Sequence, residues 1–255
     1  MADWSAQQYL KFEDQRSRPA RDLAAQVPLA APRRVFDLGC GPGNSTEILR
    51  ARWPDAALTG VDSSPDMLAK ARARLPGVDF LQADLATWTP PRDADLFYSN
   101  ATFQWVPDHL AVFERLIDAL PPGGVLAVQM PDNGAEPSHA LLRDLAGAAP
   151  WRDTLASAAV LRDDLPPVSV YYDRLRPRCR GFDIWHTLYE HPIDGAAGIV
   201  EWFKGSRLRP YLDALKERGD DFLAAYQARL ATAYPRQYDG KCLLRFPRLF
   251  LVAVK

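Results

Sequence analysis

Apolar residues fall in short blocks separated by longer stretches in which they recur at helical spacing. The blocks at 35–38, 57–62, 78–82, 94–99, 125–130, 179–189 and 246–254 read as strands. The stretches at 46–53, from Pro65 to the Pro76-Gly77 break, 108–120, 138–149 and 221–234 read as helices. Residues 196–218 supply one or two more, with Gly219 as their stop. Residues 5–26 form a helical arm interrupted at Pro19. Strands that alternate with helices in this rhythm demand a mostly parallel sheet joined by crossovers, hence an α/β fold. The rhythm fails from Pro131 to about Pro177, where Pro166-Pro167 adds a second break, and a helical lid inserted over the strand ends is expected. Four segments follow: an arm at 1–32, a ligand-binding core at 33–133, a lid at 134–178 and a C-terminal part at 179–255 that completes the sheet and adds a helical cap.

The block Val35-Phe36-Asp37-Leu38 breaks into Gly39-Cys40-Gly41-Pro42-Gly43-Asn44, which reads as strand, tight turn and helix start. Glycines at 39, 41 and 43 admit positive φ and leave no Cβ between the backbone and an approaching ligand. Asn44 with Glu47 three residues on suggests an N-cap, so the positive end of a helix should face the turn. The spacing differs from G-x-G-x-x-G, and no Lys-Ser/Thr pair follows, so a phosphate-free nucleoside fits better than a dinucleotide or a nucleoside triphosphate. Asp62 closes the second strand, where a carboxylate can accept both ribose hydroxyls; an N-cap role is the alternative, although Ser63, Ser64 and Pro65 offer better cap chemistry. Met67 either packs on a base or joins the core. Asp84 and Leu85 follow the third strand, and Asn100 to Gln104 and Trp105 follow the fourth. All these positions lie at the carboxyl ends of strands, where open α/β sheets bind ligands.

Charge narrows the class of partner. Lys and Arg total 31 against 32 Asp and Glu, for a formal net charge of -1, so nothing pulls the chain toward nucleic acid or an anionic membrane. A small molecule is the simpler partner. Cys40, Cys179 and Cys242 lack C-x-x-C spacing, which indicates neither a disulfide framework nor a metal cluster and suggests a reducing compartment. The N-terminus has no leader pattern and no run reaches the length of a membrane span, so a cytoplasmic protein is expected.

The D-x-G-x-G-x-G form of Asp37 to Gly43 resembles motif I of the class I S-adenosylmethionine-dependent methyltransferases. The resemblance to the trans-aconitate 2-methyltransferase family runs over nearly the whole chain. It is carried by Arg16-Ser17-Arg18-Pro19-Ala20, Asp62-Ser63-Ser64-Pro65, Asn100-Ala101, Gln104-Trp105, Gln129-Met130-Pro131-Asp132-Asn133, Leu208-Arg209-Pro210 and Phe246-Pro247-Arg248-Leu249-Phe250. Departures concentrate at 146–167 and 201–206.

This resemblance implies a Rossmann-like, seven-stranded sheet with helices on both faces and S-adenosylmethionine as cofactor. Asp37, Gly39, Gly41, Gly43, Asn44, Asp62, Ser63, Met67, Asp84, Leu85, Asn100 and Gln104 would hold it, with Asp84 and Leu85 on the adenine. It also implies methyl transfer to a carboxylate of trans-aconitate, giving a monomethyl ester. A carboxylate is already ionised at neutral pH, so no general base is expected and no metal is needed. The remaining carboxylates call for arginines, and Arg18 and Arg209 are the first candidates, with Arg174 and Arg248 behind them. Tyr9 and Trp105 would wall the substrate site. A monomer is expected. The rival readings are a methyltransferase acting on another small acid or metabolite, a nicotinamide oxidoreductase, and a cofactor-binding regulator without turnover.

Overall fold

The computed structural model describes residues 13–156, 164–204 and 207–255. Helix α1 (Glu13–Gln26) leads into β1 (Arg34–Leu38), α2 (Asn44–Arg52), β2 (Ala57–Asp62), α3 (Pro65–Arg74), β3 (Asp79–Gln82) and β4 (Leu96–Asn100). Helix α4 (His109–Ala119), β5 (Val125–Pro131), α5 (Pro137–Ala146), α6 (Arg152–Leu155) and α7 (Val168–Leu175) follow. The chain closes with β6 (Gly181–Ile193), α8 (Gly195–Lys204), α9 (Arg209–Leu215), α10 (Gly219–Ala233) and β7 (Cys242–Val254).

The seven strands form one sheet in the order β3-β2-β1-β4-β5-β7-β6. Pairs β3–β2, β2–β1, β1–β4 and β4–β5 are parallel. On the far side of β5 the direction reverses, because Lys255 N donates to Gly124 O at 2.9 Å while Asp132 N donates to Pro247 O at 3.0 Å. Strand β6 is antiparallel to β7 in turn: Arg180 N donates to Val254 O, and the Trp185 and Phe250 rings stack 5.1 Å apart. The chain leaves β1 for β2 on one side and returns to β4 on the other. That switch opens a crevice at the carboxyl ends of β1 and β4, where the glycine turn lies.

Two compact units divide the described residues. One contains Asp14–Pro131, Leu165–Thr187 and Leu249–Lys255; the other contains Asp132–Asp164 and Leu188–Arg248. The stretch 134–178, read from sequence as one lid, is therefore shared between them at 164/165, and 188–248 goes with its first part. In the first unit, β5 is buried at all seven positions and β4 at four of five, as central strands covered on both faces must be. Helix α4 lays Leu110, Phe113, Leu116 and Ile117 along one face into this core, with Phe36, Phe97 and Leu126. Tyr171 and Leu175 of α7 join the same core, although sequence reading assigned no helix there.

Several local expectations give way to packing. Helix α1 runs through Pro19 without a break, because Ala20, Leu23 and Ala24 are buried and the Tyr98 hydroxyl donates to Ala20 O at 2.6 Å. Gly219 does not stop a helix; it begins α10, since Lys216 at φ 51 takes the left-handed step three residues earlier. Strand β7 begins at Cys242, four residues before the expected start, and includes Pro247. A proline keeps its carbonyl acceptor, and Asp132 N uses it.

Candidate functional site

The glycine turn is pinned to β2 by its own backbone. Gly39 N and Cys40 N both donate to Val61 O, at 2.7 and 3.1 Å, and Gly43 N donates to Cys40 O at 3.0 Å. All three glycines have positive φ, but for different reasons. At Gly39 a Cβ would strike the Thr102 side chain, whose hydroxyl donates to Gly39 O at 3.1 Å. At Gly43 the left-handed conformation serves as the N-cap of α2. Asn44 is thus the first residue of the helix, not its cap, and no side chain caps that end. At Gly41 a Cβ would meet nothing within 4 Å. Packing does not require that glycine; its φ of +54° favours one, and its face is open.

Asp37 is the penultimate residue of β1, two before Gly39. It is fully buried, and its Oδ2 accepts from the Ser45 hydroxyl at 2.7 Å and the Thr46 hydroxyl at 2.6 Å, which ties the end of β1 to the first turn of α2. Its Oδ1 is buried without a partner among the described residues. Burial lifts the carboxyl from 3.8 to about 6 against the pull of the two hydroxyls, and the Asp62 charge adds to the rise. Cys40 is free and buried, and burial pushes its thiol up, so it stays protonated.

Asp62 sits at the carboxyl end of β2 and braces the turn: Oδ2 accepts from Gly41 N at 2.8 Å and Oδ1 from Ser64 N at 2.9 Å. Ser64 takes the cap of α3 by accepting from Met67 N at 3.3 Å, with Pro65 at the first helical position, so the cap role is filled without Asp62. Ser63 O accepts from the Gln82 amide at 3.3 Å. Met67 is buried, and Leu85 belongs to the core of the first unit. Asp84 holds its own loop, accepting from Ala86 N at 2.9 Å. Arg115, which sequence reading missed, donates to the carbonyls of Leu85 and Ala86, both at 3.0 Å, and so fixes this loop from α4.

The end of β4 supplies the remaining wall. Ala101 sits at φ 57 and donates to Gln129 O at 2.9 Å, a strained step that turns the chain sharply after Asn100. The Gln104 amide donates to Ala101 O at 2.6 Å. Two carbonyl oxygens, Asn100 Oδ1 and Gln104 Oε1, are buried here with no hydrogen-bond partner among the described residues. An unmet buried acceptor is unfavourable, and each is suited to a donor brought by a ligand such as an ammonium group. With Gly41 open and Asp62 beside it, these acceptors fit an aminoacyl nucleoside.

The described residues expected around a substrate belong to both units. Arg18 is exposed and paired with Asp22 at 3.8 Å, one turn along α1. Trp105 ends the single turn Phe103–Trp105 and is 41% exposed; both lie in the first unit. Arg209 lies in the second, paired with Asp213 at 3.9 Å. Tyr9 lies outside the described residues. Arg174 is engaged by Glu114 at 2.9 Å and Asp108 at 3.8 Å, while Arg248 is buried over the Phe246 ring. His109 bonds the Tyr171 hydroxyl at 2.6 Å and packs on Phe113.

A family model described as a methyltransferase domain matches residues 35–124, from β1 to the start of β5. A trans-aconitate 2-methyltransferase from Rhodopseudomonas palustris (strain BisB18) is 62% identical over 257 residues, covering 100% of both chains. Among solved structures, the YcgJ protein from Bacillus subtilis superposes with a TM-score of 0.60 at 14% identity, covering 93% of this chain and 98% of its own. An S-adenosylmethionine dependent methyltransferase from Mesorhizobium loti gives 0.53 at 20% identity, covering 95% and 100%. Both structures share the fold.

Proposed function

We propose, from the premise that this chain belongs to the trans-aconitate 2-methyltransferase family, that it esterifies one carboxylate of trans-aconitate to give the monomethyl ester and S-adenosylhomocysteine. Full-length identity of 62% to a relative of that name carries the reading. S-adenosylmethionine is the cofactor, and when bound it supplies an activated methyl group on a sulfonium. Gly41 offers it an open backbone face, Asp62 and Ser63 the acceptors for a ribose, and Asp84 with the Leu85 amide the contacts for a base. The unused oxygens of Asn100 and Gln104 are the acceptors for its amino group.

The chain's own chemical task is modest. A carboxylate substrate is ionised at neutral pH and needs no general base. What remains is to hold the attacking oxygen in line and strip water from it, which is catalysis by placement and desolvation. Arg18 and Arg209 are the first cations proposed for the spare carboxylates, and Trp105 and Tyr9 the walls that exclude water. The partner is a small tricarboxylate, not nucleic acid or membrane, and the protein acts as a cytoplasmic monomer. No helix among the described residues is long and apolar enough to cross a membrane.

Calorimetry with S-adenosylhomocysteine and with NAD, followed by a coupled assay for S-adenosylhomocysteine release on trans-aconitate, tests the reading. Binding of the first ligand with turnover supports it; binding of NAD instead removes it.

A further inference from the structure

Two arginines of the second unit, Arg207 and Arg248, are buried with an Nε that makes no hydrogen bond among the described residues, and Arg248 lies over the Tyr189 and Phe246 rings. Arg207 has no such ring contact among the described residues. It is 9% exposed, its Nε is fully buried without a hydrogen-bond partner, and no ion pair engages it among the described residues. Two residues on, Arg209 is half-exposed and spends its charge on Asp213.

The groups that act on Arg207 all belong to the same unit: Tyr211, Arg143, Asp164 and Tyr226. Tyr211 lies four residues on, fully buried and stacked on Phe222. Arg143 donates to Gly134 O at 2.8 Å, and the Asp164 carboxylate fills the place a Gly134 Cβ would take. Arg143, Gly134 and Asp164 are therefore one cluster. The Tyr226 hydroxyl is committed to Ser138 O at 2.7 Å. Among the described residues, two guanidinium groups meet a single carboxylate in this cluster, which leaves it with excess positive charge. Burial lowers the Arg207 pKa and the Arg143 charge adds to the fall, against the partial pull of Tyr211 and Asp164.

A buried, unpaired guanidinium is costly to the fold. It is favourable only when an anion completes it, and its planar fork suits a carboxylate held by two parallel bonds. We propose that Arg207, assisted by Arg143 and Tyr211, binds one of the carboxylates of trans-aconitate that is not esterified. The assignment rests on the functional reading above. It moves the substrate cation from Arg209, which is ion-paired with Asp213, to Arg207, which has no ion pair among the described residues.

Arg207→Gln and Arg207→Lys test it in the full chain. Arg207→Gln is expected to raise KM for trans-aconitate about 10- to 100-fold, with S-adenosylhomocysteine affinity unchanged; Arg207→Lys falls between. The ligand-free melting temperature of Arg207→Gln should equal or exceed that of the parent, because an uncompensated buried charge has gone. A structural arginine behaves in the opposite way: a lower melting temperature, or failure to fold, overturns the assignment. Arg143→Gln, at an exposed position, provides a second reading and should also raise KM. If the parent protein forms the ester and neither Arg207→Gln nor Arg143→Gln changes KM, the arginine assignment alone is wrong. If the parent forms no ester from trans-aconitate, the functional reading fails and the assignment fails with it.

Discussion

Replacing Gly39 and Gly41 separately by alanine distinguishes a glycine required by packing from one reserved for a ligand. Both sit at positive φ, +73° and +54°, so each alanine incurs left-handed strain of about 1–2 kcal/mol. At Gly39 the added Cβ also collides with the Thr102 side chain, and overpacking of this kind adds about 1–3 kcal/mol. Gly39→Ala should therefore lose about 2–5 kcal/mol and Gly41→Ala only about 1–2 kcal/mol. For a chain of this length each kcal/mol lowers the melting temperature by about 2–4 °C, so scanning calorimetry resolves the two. Binding should rank them in the reverse sense. Gly41→Ala puts a methyl on the open face and is expected to weaken S-adenosylhomocysteine binding about tenfold or more by titration calorimetry, or about 1.4 kcal/mol. A Gly41→Ala protein that binds like the parent would show that this face is not where the cofactor lies.

Three further outcomes follow from the same geometry. Asp62→Ala removes the acceptor for Gly41 N and Ser64 N, so it should destabilise the protein by about 1–3 kcal/mol and raise the dissociation constant for S-adenosylhomocysteine; unchanged affinity excludes Asp62 from the ribose. Asp37 binds its proton more tightly when folded, so the native state holds more protons than the unfolded chain between pH 3.8 and about 6, and this residue's contribution falls as pH rises through that window. The stability of Asp37→Asn relative to the parent should accordingly improve by up to about 3 kcal/mol from pH 4 to pH 7, and a flat difference in denaturant melts refutes the raised value. Arg18→Ala and Arg209→Ala each break one exposed pair within a helix, so stability should change by less than about 0.5 kcal/mol. A rise in KM for trans-aconitate then identifies a substrate contact, and an unchanged KM removes that arginine from the site.

The strands were legible because β1, β4 and β5 are largely buried apolar blocks, and their parallel direction follows from alternation with helices. The glycine turn was legible because strand, turn and helix follow one another directly, and Asp62 could be placed at the end of β2 although its bond to Gly41 N spans 21 residues. What sequence did not disclose depends on distant partners. Thr102 decides the fate of Gly39 from 63 residues away, and Arg115 fixes the Asp84 loop from α4. The hydroxyls at 45 and 46 that claim one oxygen of Asp37 reach it only once α2 is in place. The cap of α2 was misassigned because Asn44 satisfies the preference for a cap, whereas the left-handed Gly43 already provides the turn. Arg207 and Arg209 look alike in sequence, and only burial and the presence of Asp213 separate them.

Mass spectrometry of the products formed from S-adenosylmethionine and a panel of di- and tricarboxylic acids tests the central claim most directly. A monomethyl ester of trans-aconitate, formed with stoichiometric S-adenosylhomocysteine and in preference to esters of the other acids, is the predicted result. Tight cofactor binding with no ester from trans-aconitate would contradict the account.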